Sequence, residues 1–297
     1  MSFDNAYDAI TSDNDEHHWA FGTGFDDPLS GVDRAVPPAV STEDLSTYCL
    51  MLADDALILS QRLTEWCSRA PELEEDVALA NIALDLLGQA RLLLTRAGEV
   101  EATGRDEDTL AYRRDEHEFR NVRLTELDCG PGPGGDFATT IARLLVFSTW
   151  RLAVFQHLMT STDPVLAAIA AKGVKELAYH RDHAAQWTLR LAGGTEYSRT
   201  RMIAGLDKVW PLVAELFTPH QIELRLPAVA VNPAAVQPEV DEVLDQVLTA
   251  AALETPTAEP MSPVAGRSGR DGVHTEAMGY LLAEMQHLHR SLPGAKW

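Results

Sequence analysis

Basic residues are scarce in this chain. Over 297 residues, 24 Lys and Arg stand against 45 Asp and Glu, a formal net charge of -21. Nucleic acid and anionic membrane surfaces both recruit Lys/Arg-rich faces, so neither is expected as a main partner. No run of 18 apolar residues occurs, and no membrane span is expected. The opening Met1-Ser2-Phe3-Asp4 stays acidic and has no signal-peptide pattern. Cysteine is equally sparse: Cys49, Cys67 and Cys129 are the whole supply. The first two share one expected helix, where a rise of about 1.5 Å per residue keeps them too far apart to bond. An odd number with no framework fits a reduced, cytoplasmic setting. There is no Gly-x-Ser-x-Gly elbow, Walker loop or Cys-x-x-Cys, and the glycine run Gly130-Pro131-Gly132-Pro133-Gly134-Gly135 lacks a phosphate loop's Gly-Lys-Ser/Thr ending and reads as a linker. Strand-rich regions and short repeats are missing too.

What is present is helical periodicity. With 45% hydrophobic and 23% charged residues, the chain can bury a sizeable core. Residues 1–40 carry Asp4, Asp8, Asp13, Asp15, Glu16, Asp26, Asp27 and Asp33 against Arg34 alone, show no apolar period, and close on Pro37-Pro38. They are expected to be an acidic extension, disordered or loosely docked, before a helical domain over 41–297. The first helix is expected from about Thr42 to Cys67, with an apolar stripe of Leu45, Tyr48, Leu52, Ala56, Leu59, Leu63 and Trp66. Asp55 lies about 60° from that stripe and Asp54 nearly opposite it. A second helix follows from Pro71 to about Ala97, apolar nearly all round and therefore expected to be buried. One narrow face of it, Ala78, Asn81, Asp85, Gly88 and Gln89, is small and polar without a Lys or Glu. Residues 99–135 form a long connection whose charged run Arg113–Arg120 reads as a solvated face or an interface with another subunit. Asp136 caps a third helix to about Thr160; Asp163-Pro164 starts a fourth, stopped at Gly193-Gly194. Short, long, short connections are those of a ferritin-like four-helix bundle. Additional C-terminal helices are expected near 198–217, 238–254 and 274–290, so the fold class is all-α.

Ferritin-like bundles hold two irons with a carboxylate from each of two helices and Glu-x-x-His from each of the other two. The matching positions here are Asp55 on the first helix, Asp85 with Gly88 on the second, Ser148 on the third, and Glu176 with Tyr179 on the fourth. Both histidine positions are lost, and the third helix has no Asp or Glu between Asp136 and Asp163. His180 stands one turn from Glu176, with His183 on the same face. So few ligands are expected to hold no metal, because affinity follows ligand number, charge and geometry. Buried carboxylates without metal need other partners. His180 is placed to serve Glu176, Gln89 to serve Asp85, and Tyr179 to fill the space beside Gly88.

Several stretches are similar to the C-subunit family of bacterial phenylacetyl-CoA epoxidases: Ala53-Asp54-Asp55-Ala56-Leu57-Ile58-Leu59, the run Ala78 to Arg91, Arg114-Asp115-Glu116 through Asn121, Glu176 to His180, His274-Thr275-Glu276 through Gln286, and the ending Pro293 to Trp297. The resemblance covers about residue 41 onward. It implies a non-catalytic structural subunit of a multicomponent monooxygenase in aerobic phenylacetate catabolism. The partner A subunit would carry the di-iron site and epoxidise the aromatic ring of the CoA thioester, and a reductase subunit with NADPH, flavin and iron-sulfur would supply electrons. No cofactor is expected in this chain, and no catalytic residue. Two rivals stand beside it: an oxygenase chain with its own degenerate di-iron site built on Asp55, Asp85, Glu176 and His180, and an autonomous ferritin-like binding or storage protein. Arg113–Arg120 and the C-terminal helix ending at Trp297 are the expected contact surface.

Overall fold

The computed structural model describes residues 29–295. The described part is all-α, with no strand, and has the ferritin-like connection pattern. Its central bundle is α1 (Thr42–Thr64), α2 (Leu73–Val100), α4 (Phe137–Leu158) and α5 (Pro164–Gly193). Side chains stitch α1 to α2 as an antiparallel hairpin: Ser46 Oγ donates to the Ala97 carbonyl and Ser60 Oγ to that of Ala83. Capping fixes the starts of the second pair. Asp136 accepts from Thr139 N at 2.8 Å and Asp163 from Leu166 N at 2.9 Å. α4 is the most enclosed helix, with every residue from Ala138 to Phe155 buried. α2 and α4 are each long and apolar enough to cross a membrane by length and composition alone. α4 owes that character to its place in the core, whereas Leu73, Val77 and Leu84 of α2 are exposed, against the expectation of burial all round.

The connection between α2 and α4 is not a loose linker. It holds α3 (Glu107–Tyr112) and short 3-10 turns at Glu116–Glu118 and Arg123–Glu126, and it buries Phe119, Val122 and Leu124 over α1. α6 (Glu196–Val209) runs into a 3-10 segment at Trp210–Phe217. α7 (Gln221–Arg225), α8 (Pro233–Ala250) and α9 (Glu276–Ser291) complete the chain. α8 begins before the expected start because Asn232 caps it, accepting from Ala234 N, and Pro233 fits the first turn.

Two expectations about the edges change. Residues 29–40, expected to belong to the loose extension, are docked: Leu29 is buried, Val32, Val36 and Val40 pack against the core, and Arg96 Nη1 donates to the Arg34 carbonyl at 2.7 Å. Three valines at four-residue spacing give this stretch apolar area that its acidity hides. The remainder of the acidic extension, and Trp297, lie outside the described residues. The run Arg113–Arg120 is not simply a solvated face. Arg114 is buried and pairs through both terminal nitrogens with Asp54, while Arg120 N donates to the same carboxylate at 2.8 Å. Asp54 points away from the bundle stripe as expected, but into this cover instead of solvent. A charge that far from water persists because a bidentate guanidinium and a backbone amide satisfy it.

Candidate functional site

α2 and α5 run antiparallel across the bundle, and three of the expected site residues meet there. His180 Nε2 lies 3.0 Å from Asp85 Oδ2. One turn along, Gln89 Nε2 donates to Glu176 Oε2 at 3.0 Å. The partners are therefore exchanged relative to the expected pairs: each acid is served from the facing helix. Residues four apart on one helix lie side by side, whereas the facing helix looks straight into the carboxylate. Further out, His183 Nε2 approaches Glu75 Oε2 to 3.1 Å with both side chains mostly buried, in a contact too poorly aligned for a hydrogen bond. Burial holds the His183 imidazole below its usual range, against the opposing pull of Glu75. All three inward residues of the Glu176, His180, His183 face thus reach α2.

The centre of the bundle is occupied by Arg151. This side chain is fully buried, donates from Nε to Gln89 Oε1 at 3.0 Å and from Nη1 to the Leu52 carbonyl at 3.1 Å. Its guanidinium carbon sits 4.4 Å from the Phe155 ring centroid, close enough for a cation–π contact. The Phe155 ring reaches this position because Gly173 on α5 faces it; a Cβ there would come within 2.7 Å of the ring. Burial pushes the Arg151 guanidinium down to about 10, with Asp55 the chief opposing charge. It remains a cation at neutral pH. Gln89 is the hinge of the arrangement, its carbonyl accepting from Arg151 and its amide donating to Glu176, so α4, α2 and α5 share one polar chain.

Asp55 is fully buried and committed elsewhere. Arg270, from the segment before α9, donates to both of its carboxylate oxygens, at 3.0 and 2.8 Å, and Val122 N donates at 2.9 Å. Burial raises the Asp55 pKa, opposed by Arg270 and Arg151. Ser148 turns its hydroxyl back to the Leu144 carbonyl at 2.6 Å. Tyr179 does not fill space vacated beside Gly88. It is 53% exposed and its ring stacks on His183, while a Cβ added at Gly88 would meet nothing within 4 Å. The two positions are not complementary, because the side of α2 that carries Gly88 opens to solvent.

These residues do not fit a di-iron centre. Asp85, Glu176 and His180 converge from only two of the four helices, the first helix's carboxylate is neutralised by Arg270, and the third helix has Ser148 at its ligand position and a buried cation, Arg151, one turn along. Among the described residues no group of three or more His, Cys, Asp and Glu is close enough to hold a metal ion. Arg151 is not among the residues that metal-ligand spacing picks out. The signal was nonetheless present: Phe137, Ile141, Leu144, Ser148 and Phe155 form a stripe with alternating spacings of four and three, and the position it skips is 151. An arginine on an otherwise apolar inward stripe must be paired inside.

The fold and this centre define a ferritin-like bundle whose polar core is closed on itself by a guanidinium. The chain belongs to the phenylacetic acid catabolic protein family, whose model matches residues 30–297. Among curated proteins it is similar to the C subunit of 1,2-phenylacetyl-CoA epoxidase from Escherichia coli (strain K12). The two are 45% identical over 255 residues, which cover 85% of this chain and 99% of that protein.

Proposed function

We propose that this chain is a non-catalytic structural subunit of a multicomponent phenylacetyl-CoA epoxidase, and that it supports a separate ferritin-like subunit that carries the di-iron site. The similarity to an epoxidase C subunit along nearly the whole of that relative supports the assignment to such a complex. The observation that carries the non-catalytic reading is Arg151, whose buried cation joins Gln89 and the Leu52 carbonyl at the middle of the bundle. A fixed positive charge there opposes two further cations by direct Coulomb repulsion, which is strong where water is excluded. Asp55, Asp85 and Glu176 already have protein partners, so none of them calls for metal to neutralise it. In this reading the subunit works in the cytoplasm, the CoA ester is epoxidised on the partner, and electrons come from a reductase. Its own polar core serves rigidity: three of the four bundle helices are tied through Gln89.

The test is reconstitution. Phenylacetyl-CoA epoxidation is measured with reductase plus this chain alone, with reductase plus a di-iron subunit alone, and with all three. Activity is expected only where the di-iron subunit is present, and to be highest with this chain added. Turnover by this chain and reductase without a second ferritin-like subunit would contradict the proposal.

A further inference from the structure

The outer side of α2 is unlike an ordinary solvent face. Leu73, Val77 and Leu84 are exposed by 75%, 54% and 63%, and they fall on one helical stripe with Ala80 and the half-buried Leu87 between and beyond them. Gly88 continues the stripe with open space above it. From Val77 to Ala90 the only charged residue is Asp85, and that carboxylate is paired with His180 of the same chain. A solvated helix would carry Lys and Glu at these places. At the margin toward α5 the exposed Tyr179 ring adds a rigid amphipathic surface of the kind enriched at protein–protein interfaces. The ends of the stripe are charged with opposite sign: Glu72 and Glu74 are exposed at the start of α2, Arg91 past its middle.

We propose that this face of α2, with Tyr179 at its edge, is the docking surface for a helical partner subunit. The proposal rests on the reading of the chain as the supporting member of a two-bundle complex. It commits to a heterologous ferritin-like chain presenting an apolar helix stripe, with Lys or Arg where that stripe meets Glu72 and Glu74. Area supports an occupant of that size. From Leu73 to Arg91 the stripe spans about 27 Å, and with the adjoining ridge of α5 the face is about 20 Å wide, on the order of 540 Å² a side and about 1,080 Å² over both partners, which reaches the size of a specific interface. A small peptide would leave most of it wet. Docking would also cover the partly exposed Asp85 carboxylate, placing its pairing with His180 in an environment where it counts for more.

The experiment uses the full chain and a tagged di-iron subunit, with association measured by calorimetry. Val77→Arg and Leu84→Arg change exposed positions, and Ile203→Arg on α6 is the control, since that side chain is exposed on another element. Both α2 variants are expected to keep the wild-type melting temperature and to bind the partner at least tenfold more weakly, with the control unchanged. Glu72→Lys combined with Glu74→Lys is expected to weaken binding and to flatten its salt dependence. If the wild type binds and the α2 variants bind equally well, the surface is elsewhere while the supporting role stands. If the wild type binds no di-iron subunit, both the role and the surface are wrong. Two further results would overturn the choice of occupant: a wild-type homodimer that Leu84→Arg dissociates with the hetero-complex intact, or binding to phosphatidylcholine–phosphatidylglycerol vesicles that Leu84→Arg abolishes.

Discussion

Replacing Arg151 by methionine tests the polar core at its hinge. Methionine keeps most of the side-chain volume and remains compatible with the Phe147 and Phe155 rings that flank the guanidinium. The change removes two buried hydrogen bonds from a charged donor, at 3.0 and 3.1 Å, each worth a net of about 1.5–3 kcal/mol. It also strands Gln89 Oε1 at a cost of about 1–3 kcal/mol, whereas the Leu52 carbonyl keeps its partner within α1. Against this, the buried cation carries a desolvation penalty that its depressed pKa reveals, and replacing a buried charge by an apolar group can recover several kcal/mol. The balance is a loss of about 2–4 kcal/mol for Arg151→Met. Gln89→Leu in the same background removes that stranded acceptor, so the double variant should cost less than the sum of the two single changes, with a coupling of about 0.5–3 kcal/mol. Urea unfolding followed by circular dichroism measures both, read from the midpoint at constant slope. A loss within about 0.5 kcal/mol for Arg151→Met, the size of an ordinary surface change, would refute the placement of this guanidinium among those groups.

Other perturbations separate the pieces. Arg270→Met leaves Asp55 buried without its cation and is expected to cost about 3–5 kcal/mol; adding Asp55→Asn should restore part of it, and failure to do so in urea unfolding would count against that pair. Tyr179→Ala should change stability by no more than about 0.5 kcal/mol, and Gly88→Ala should raise it by about 0.5–1 kcal/mol because helical glycine is costly and the added Cβ meets nothing; a large loss from either would mean that this face is covered within the chain. His274 has Nδ1 2.7 Å from Glu126 Oε1 and Nε2 3.2 Å from the Phe119 carbonyl, so both ring nitrogens face acceptors and the imidazolium is the form that fits. Burial works against that charge, but the Glu126 hydrogen bond and carboxylate outweigh it and raise the pKa above 6.5. A folded pKa raised above the unfolded one gives stability that is full below the unfolded value and fades as pH climbs through the folded value. The stability gap between wild type and His274→Gln should therefore shrink as pH rises above about 6.5, and a gap independent of pH from 6 to 9 would show that His274 is neutral throughout.

The architecture was legible because it is written in local signals. Asp136, Asp163-Pro164 and Gly193-Gly194 punctuate the helices, and connection lengths constrain which helices pair. The expected acids Asp85 and Glu176 and the histidine His180 do meet at one place, since a 3.6-residue period carries side-chain direction reliably over a few turns. Partners across helices were not legible. Whether Gln89 serves Asp85 or Glu176 depends on the stagger of α2 against α5, which no single-helix pattern contains. Arg270 lies 215 residues from Asp55, and nothing local to either marks the pair. Arg151 escapes a sequence reading for a physical reason as well: arginine is usually exposed, so its presence on an inward stripe is read as a defect in the stripe until its buried acceptors are seen.

The central claim is that the middle of this bundle is held by a guanidinium and takes no metal. Iron stoichiometry tests it most directly. The purified chain is reconstituted with ferrous iron, alone and in complex with a di-iron subunit whose own ligands have been replaced, and iron per chain is determined by elemental analysis after removal of excess metal. The account predicts no stoichiometric iron in either sample. Two irons per copy of this chain would contradict it.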